Sequence, residues 1–197
     1  MDDKLNGLLA KFKQLEDELL AEIHTKEEKL SYAVRKGKVH FKEGVAERHQ
    51  ALAKKLTDYL REAKLSSFLT TPAILSCIIP VALLDFWASA YQFVCFPAYG
   101  IPKVLRREYI ILDRNKLRYL NSIERLNCAY CAYVNGVIAY VQEIAGRTEQ
   151  HWCPIKHALR LKTMHSRYAH FMDYGDAEEY RARIEKVRRD FEDLQER

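Results

Sequence analysis

Glycine and proline are scarce in this 197-residue chain, at 7 and 5 residues. That scarcity argues against an all-β, collagen-like or disordered protein and favours helices. Charge of one sign is also missing: 32 Lys and Arg stand among 27 Asp and Glu, for a formal net charge of +5. Interspersed charge of this kind leaves no broad nucleic-acid footprint, so no nucleic-acid partner is expected. A mildly basic chain suits an anionic membrane surface better. The sequence contains no G-x-G-x-x-G, no P-loop, no H-E-x-x-H and no G-x-S-x-G. A di-iron bundle would need E-x-x-H pairs, and there are none. The opening residues MDDKLNGLLAKFKQ lack the apolar core of a secretory leader. Together with an odd count of 5 cysteines, this argues against a disulfide framework and places the soluble parts in a reducing cytoplasm.

One long uncharged run is present. From Phe68 to Ile101 the only ionised side chain expected is Asp85. A bilayer crossing needs about 20 apolar residues, so length permits insertion. Pro72 suits a first helical turn, Pro97 and Pro102 suit an exit, and Pro80 falls mid-segment, where a kink or break is expected. Trp87, Tyr91 and Tyr99 have the amphipathic rings that favour a membrane interface. Lys54, Lys55, Arg61 and Lys64 precede the segment, and Lys103, Arg106 and Arg107 follow it. Basic residues on both flanks favour both ends on the cytoplasmic face. The expected fold is therefore mostly α, with one apolar membrane-inserting segment. Three geometries stay open: a single kinked span, two short helices meeting near Pro80 in a re-entrant or monotopic insertion, and a core hairpin of a soluble protein. Asp85 is read either as a proton or ligand site or as a residue that pairs or caps where the segment breaks.

Four regions are expected: amphipathic helices over 1–65, the inserting segment over 66–103, a Cys- and His-bearing helical region over 104–175, and a charged surface helix over 176–197. Leu5, Leu8, Phe12, Leu15, Leu19 and Ile23 form a seam with a period near 3.5. It can pair two chains, recruit a protein partner or pack on its own domain. The pattern fades over Arg35–Lys38, and Lys38–Lys42 alternates like a short strand. A second amphipathic helix is expected over Val45–Leu60. Tyr109–Leu112 reads as a strand, with Asp113–Asn115 capping a helix from about Lys116 to Ala145 and Gly146 stopping it. Further helices are expected from Pro154 to about Phe171 and from Ala177 to Leu194.

Cys128, Cys131, Cys153 and His157 give C-x2-C followed by C-x3-H. Three thiolates and an imidazole suit tetrahedral zinc, with iron or an iron–sulfur cluster as the alternative. The cysteine pair sits at i and i+3 and so shares one helix face. An unbroken helix from Cys131 to Ala145 carries the chain about 21 Å away, so a four-ligand site needs a break, most naturally at Asn135–Gly136, or a nearly extended return. Two other readings stand beside it: a metal-free thiol redox pair, and cysteines that simply pack.

A set of specific strings supports a resemblance. They are Lys36-Gly-Lys-Val-His-Phe41, the segment with Pro80 and Asp85, Tyr99-Gly-Ile-Pro-Lys103, Tyr119-Leu-Asn121, Glu124-Arg-Leu-Asn-Cys-Ala-Tyr-Cys131, Asn135-Gly136 and Arg147-Thr-Glu-Gln-His-Trp-Cys-Pro-Ile-Lys-His157. Over Gly37 to about Gly175 the chain resembles a family of bacterial membrane-associated proteins with no assigned activity. The resemblance implies a bacterial, membrane-associated protein and brings no reaction. The expectation is a protein at the cytoplasmic face of the inner membrane, bound to membrane lipid and holding a Cys3His metal site. The alternatives are a metal-free interaction or assembly factor and a thiol enzyme acting on a lipid-soluble substrate.

Overall fold

The computed structural model describes the backbone of residues 2–30, 32–35 and 38–194. It describes their side chains too, except at residues 2–10, 13, 27, 28 and 35. The chain is mostly helical. It divides into two compact units, neither of them continuous in sequence: Met1–Glu62 with Asp113–Leu126, and Ala63–Leu112 with Asn127–Arg197.

The first unit opens with α1 (Asp2–Lys29). Its seam positions Phe12, Leu15, Leu19 and Ile23 are exposed. Leu5 and Leu8 lie outside the described side chains. An antiparallel hairpin follows, β1 (Tyr32–Arg35) on β2 (Lys38–Phe41), with Tyr32 opposite Phe41. The alternation over Lys38–Lys42 thus does form a strand, and its partner is the preceding Tyr32–Arg35. The helix expected over Val45–Leu60 is split into α2 (Val45–Ala51) and α3 (Leu56–Glu62). Edge-to-face rings link Phe41 to His49 and His49 to Tyr119. Asp113–Lys116 makes a single 3-10 turn instead of a cap. The cap of the next helix is Asn121. Its Oδ1 accepts from the Glu124 amide at 3.0 Å, and Glu124 Oε2 accepts from the Asn121 amide at 2.9 Å, a reciprocal capping box.

The second unit is built on the apolar segment. It comprises α4 (Leu65–Ser76) and α5 (Ile78–Tyr99), joined through Cys77, which stays near helical at φ −62° and ψ −16°. The chain therefore runs on through the junction instead of doubling back. Together they give a 35-residue run whose most apolar 18-residue window has a mean hydropathy of 2.0, long and apolar enough to cross a membrane. The interruption falls three residues before Pro80. A proline lacks an N–H, so Ser76, four residues earlier, loses its partner, and Pro80 sits in the first turn of α5, where donors are unsatisfied anyway. Pro72 lies inside α4 and not at its start. The exit is Gly100 at φ 68°, with Ile101 N–H on Phe96 O at 2.9 Å and Gly100 N–H on Pro97 O, a Schellman stop.

The chain then turns back along α5. Val104 exchanges backbone hydrogen bonds with the Gln92 side chain, and Arg106 reaches Asp85. Tyr109 belongs to α6 (Arg106–Tyr109), so the strand expected there does not form.

Next comes α7 (Ser122–Trp152), which starts later than the expected Lys116 and runs past the expected end at Ala145. It runs alongside the apolar segment in the same direction: Tyr130 bonds Ile74 O, Tyr140 bonds Ser89, and Tyr91 bonds Thr148. Neither Gly136 nor Gly146 breaks it. Both are points of close approach, which is why the helix carries glycine there. A Cβ on Gly136 would meet the Tyr109 carbonyl oxygen at 2.7 Å and Ile110 Cα at 2.9 Å. On Gly146 it would meet the His165 ring at 2.6 Å. Gly136→Ala is expected to cost about 1–3 kcal/mol, because backbone must move. Gly146→Ala should cost less, because a side chain can yield. Thermal melts of both variants check the order.

The helix expected over Pro154–Phe171 is absent. Met172 bonds the Pro154 carbonyl, Lys156 bonds the Met172 carbonyl, and only a 3-10 turn, Ser166–His170, is present. α8 (Ala177–Val187) then ends seven residues before Leu194. It is not simply a solvated surface helix, since Ile184 and Val187 are buried, and so is Phe191 beyond it. The core cluster is Phe96, Ile101, Val104, Tyr140, Ile144 and Phe191.

Candidate functional site

Cys128 and Cys131 lie one turn apart on α7, half-buried and exposed respectively. Cys153 follows the last residue of the same helix. Because α7 is unbroken at Asn135–Gly136, the axial distance from Cys131 to Trp152 is about 32 Å at 1.5 Å per residue. Cys153 and His157 therefore do not join the cysteine pair. His157 instead stacks on Tyr168, with ring centroids 6.2 Å apart. Among the described residues, no three His, Cys, Asp or Glu side chains gather at metal-ligand spacing. The shared site expected from the sequence needed a break in α7, and the tight seat of Gly136 against Tyr109 and Ile110 explains why the helix passes straight through.

The distinctive surface lies on the apolar segment, whose polarity is turned inside out. The stripe of α5 that faces the protein carries its polar residues, Asp85, Ser89 and Gln92. The opposite stripe is apolar and uncovered: Ile79, Leu83, Phe86, Trp87, Phe93 and Val94, with Phe86 63% and Phe93 70% exposed. The most apolar 18-residue window has none of its residues buried. A soluble core hairpin would do the reverse. Exposed apolar patches of this continuity mark an interaction surface. The patch continues into an open groove of about 620 Å3 walled by Trp87, Tyr91, Val141, Ala145 and Trp152. Lys103 lies over the Phe93 ring, 4.5 Å from its centroid, bringing a cation to the edge of the patch.

The inward stripe is tied down by polar bonds that the sequence did not reveal. Asp85, 7% exposed, takes a two-pronged bond from Arg106 Nε and Nη2, at 3.0 and 2.6 Å, and a third from Tyr133 Oη at 3.0 Å. Asp85 is thus a paired structural residue, placed eight positions beyond the interruption at Cys77. Burial, and the carboxylate beside it, push the Tyr133 phenol up, so it remains a donor at neutral pH. Two turns on, Gln92 bonds Tyr140 and the backbone of Val104.

A second polar knot closes the far end. Arg147 bonds Glu143 at 2.8 Å and the Pro102 carbonyl at 2.8 Å, while Ser166 donates to Glu143 at 2.6 Å. Arg167 bonds Gln150, Asp193 and the Asp190 carbonyl. Of these residues only the Glu143–Arg147 pair announces itself in sequence, by its i, i+4 spacing. No known family, curated protein or solved structure matches this chain.

Proposed function

We propose that this protein is a monotopic membrane-bound interaction or assembly factor. The α4–α5 run lies in the plane of one leaflet, apolar face down, and both of its ends stay on the cytoplasmic side. The observation that carries this reading is the inverted polarity of α5: polar residues toward the protein, Phe86, Trp87, Phe93 and Val94 away from it. The return path supports an in-plane seat over a crossing. Arg106 sits against Asp85, near the middle of α5, and its neighbours Arg107 and Glu108 are exposed. A perpendicular crossing would draw these charges toward the hydrocarbon, at several kcal/mol unless each were paired. An in-plane helix keeps them at the headgroups, where Lys103 also meets anionic lipid.

Flotation with vesicles tests the reading. The purified protein should rise with vesicles containing anionic lipid and bind more weakly to vesicles of neutral lipid. Protein that stays at the bottom of the gradient with both, while folded and monodisperse, would refute it.

A further inference from the structure

The first unit contains two adjoining cavities whose walls differ in chemistry. One, of about 300 Å3, is mainly aromatic and apolar, lined by Tyr32, Phe41, His49, Leu117 and Tyr119, with Asp113 and Arg114 as an acid and a base on its wall. The other, of about 530 Å3, is lined by Lys116, Arg118 and Arg125 together with the amides of Gln50 and Asn121 and the hydroxyl of Ser122, and no acid lines it. Lys116 lines both. None of the three cations pairs with a carboxylate among the described residues. His49 on the wall of the first and Asn121 on the wall of the second each also hold a buried polar atom without a partner, Nδ1 and Nδ2. The end of α7 is not itself the attraction, because its capping box already occupies those amides.

We infer that the first unit binds a mononucleotide. A planar base fits the aromatic cavity, where rings offer stacking faces and His49 offers a hydrogen-bonding edge. The phosphate fits the cationic cavity. There Lys116 and the two guanidinium groups supply charge. Neither cavity alone asks for this ligand. An aromatic slot would take any flat apolar ring, and a cationic hollow would take any anion. Their junction at Lys116 selects a molecule that has both parts. The inference is independent of the membrane reading, since it uses residues of the other unit.

Titration calorimetry on the full chain in detergent tests it, with adenosine, guanosine, cytidine and uridine 5′-monophosphates as probes. At least one should bind saturably. The matching nucleoside and inorganic phosphate should each bind at least about tenfold more weakly, a loss of 1.4 kcal/mol or more. Lys116→Gln and Arg125→Gln should each weaken the nucleotide several-fold at unchanged melting temperature. Arg118→Gln serves as a further variant should either of these fail to fold. Absence of saturable binding for all four nucleotides would overturn the inference. So would inorganic phosphate binding as tightly as the nucleotide, or cation variants that leave affinity unchanged.

Discussion

Replacing Phe86 and Phe93 together with aspartate should abolish vesicle binding while leaving the fold intact. Both rings point away from the protein, at 63% and 70% exposure, so the folded chain has little packing to lose. Burying one such ring in an apolar phase is worth about 1.5–3 kcal/mol, so losing two costs about 3–6 kcal/mol before the added charges are counted. At 1.4 kcal/mol per factor of ten, affinity for vesicles should fall at least 100-fold on this estimate. Flotation and circular dichroism on the same sample separate loss of docking from loss of structure. Asp85→Ala should behave in the opposite way. It removes the carboxylate that holds Arg106 and Tyr133 together, so it should destabilise the second unit and spare the apolar face.

The second large effect should come from Arg167→Ala. Arg167 is 1% exposed and packs over the Phe191 ring, 5.3 Å from its centroid. Its guanidinium ties Gln150 on α7 to Asp193 and to the Asp190 carbonyl. Deleting it leaves the buried Gln150 Oε1 without its donor, takes the counter-charge from Asp193 and opens a void. A buried polar group left without its partner costs about 1–3 kcal/mol and the void adds to it, which is a large share of a typical domain's stability. Urea unfolding followed by circular dichroism should show a lower midpoint. The same contact makes a pH prediction. Burial pushes the Asp193 carboxyl up, but the hydrogen bond and charge of Arg167 outweigh it and hold the group below the usual aspartate range. A carboxylate whose folded pKa is depressed adds stability above its unfolded pKa, about 3.9, and loses it as pH falls through the folded value. Stability should therefore drop below about pH 4, and more shallowly in Asp193→Asn.

The sequence foretold the class of the fold better than its geometry. The apolar run from Phe68 to Ile101 announced itself by composition, and β2 by alternation. The exit near Tyr99 was legible from Pro97 and Pro102, and the structure makes it at Gly100, whose left-handed φ of 68° suits glycine. Other signals were misleading for physical reasons. Gly136 and Gly146 looked like a break and a stop, yet each is small because another segment passes within contact distance. Pro80 did signal the interruption, which falls three residues upstream at Cys77. Pro154–Phe171 looked helical, yet its backbone groups bond to Met172 and its neighbours. Tertiary contacts overrode local propensity there. The cysteine pattern shows why spacing alone is a weak guide. Between its C-x2-C and C-x3-H halves, residues 132–152 run as uninterrupted helix, and such a helix separates what the motif would join. The polar knots at Asp85–Arg106 and Gln150–Arg167 span 21 and 17 positions, and no local pattern encodes such pairs.

The in-plane seat of the apolar run is the central claim, and site-directed labelling tests it most directly. In a chain with its native cysteines replaced by serine, single cysteines at Leu65 and Tyr99 mark the two ends, and one at Phe86 marks the exposed face. On sealed vesicles loaded with protein from outside, a membrane-impermeant maleimide should label both ends from the outside, and Phe86→Cys should be protected. Labelling of one end only from outside, with the other reached only after the vesicles are opened, would mean the segment crosses the bilayer and would contradict the account.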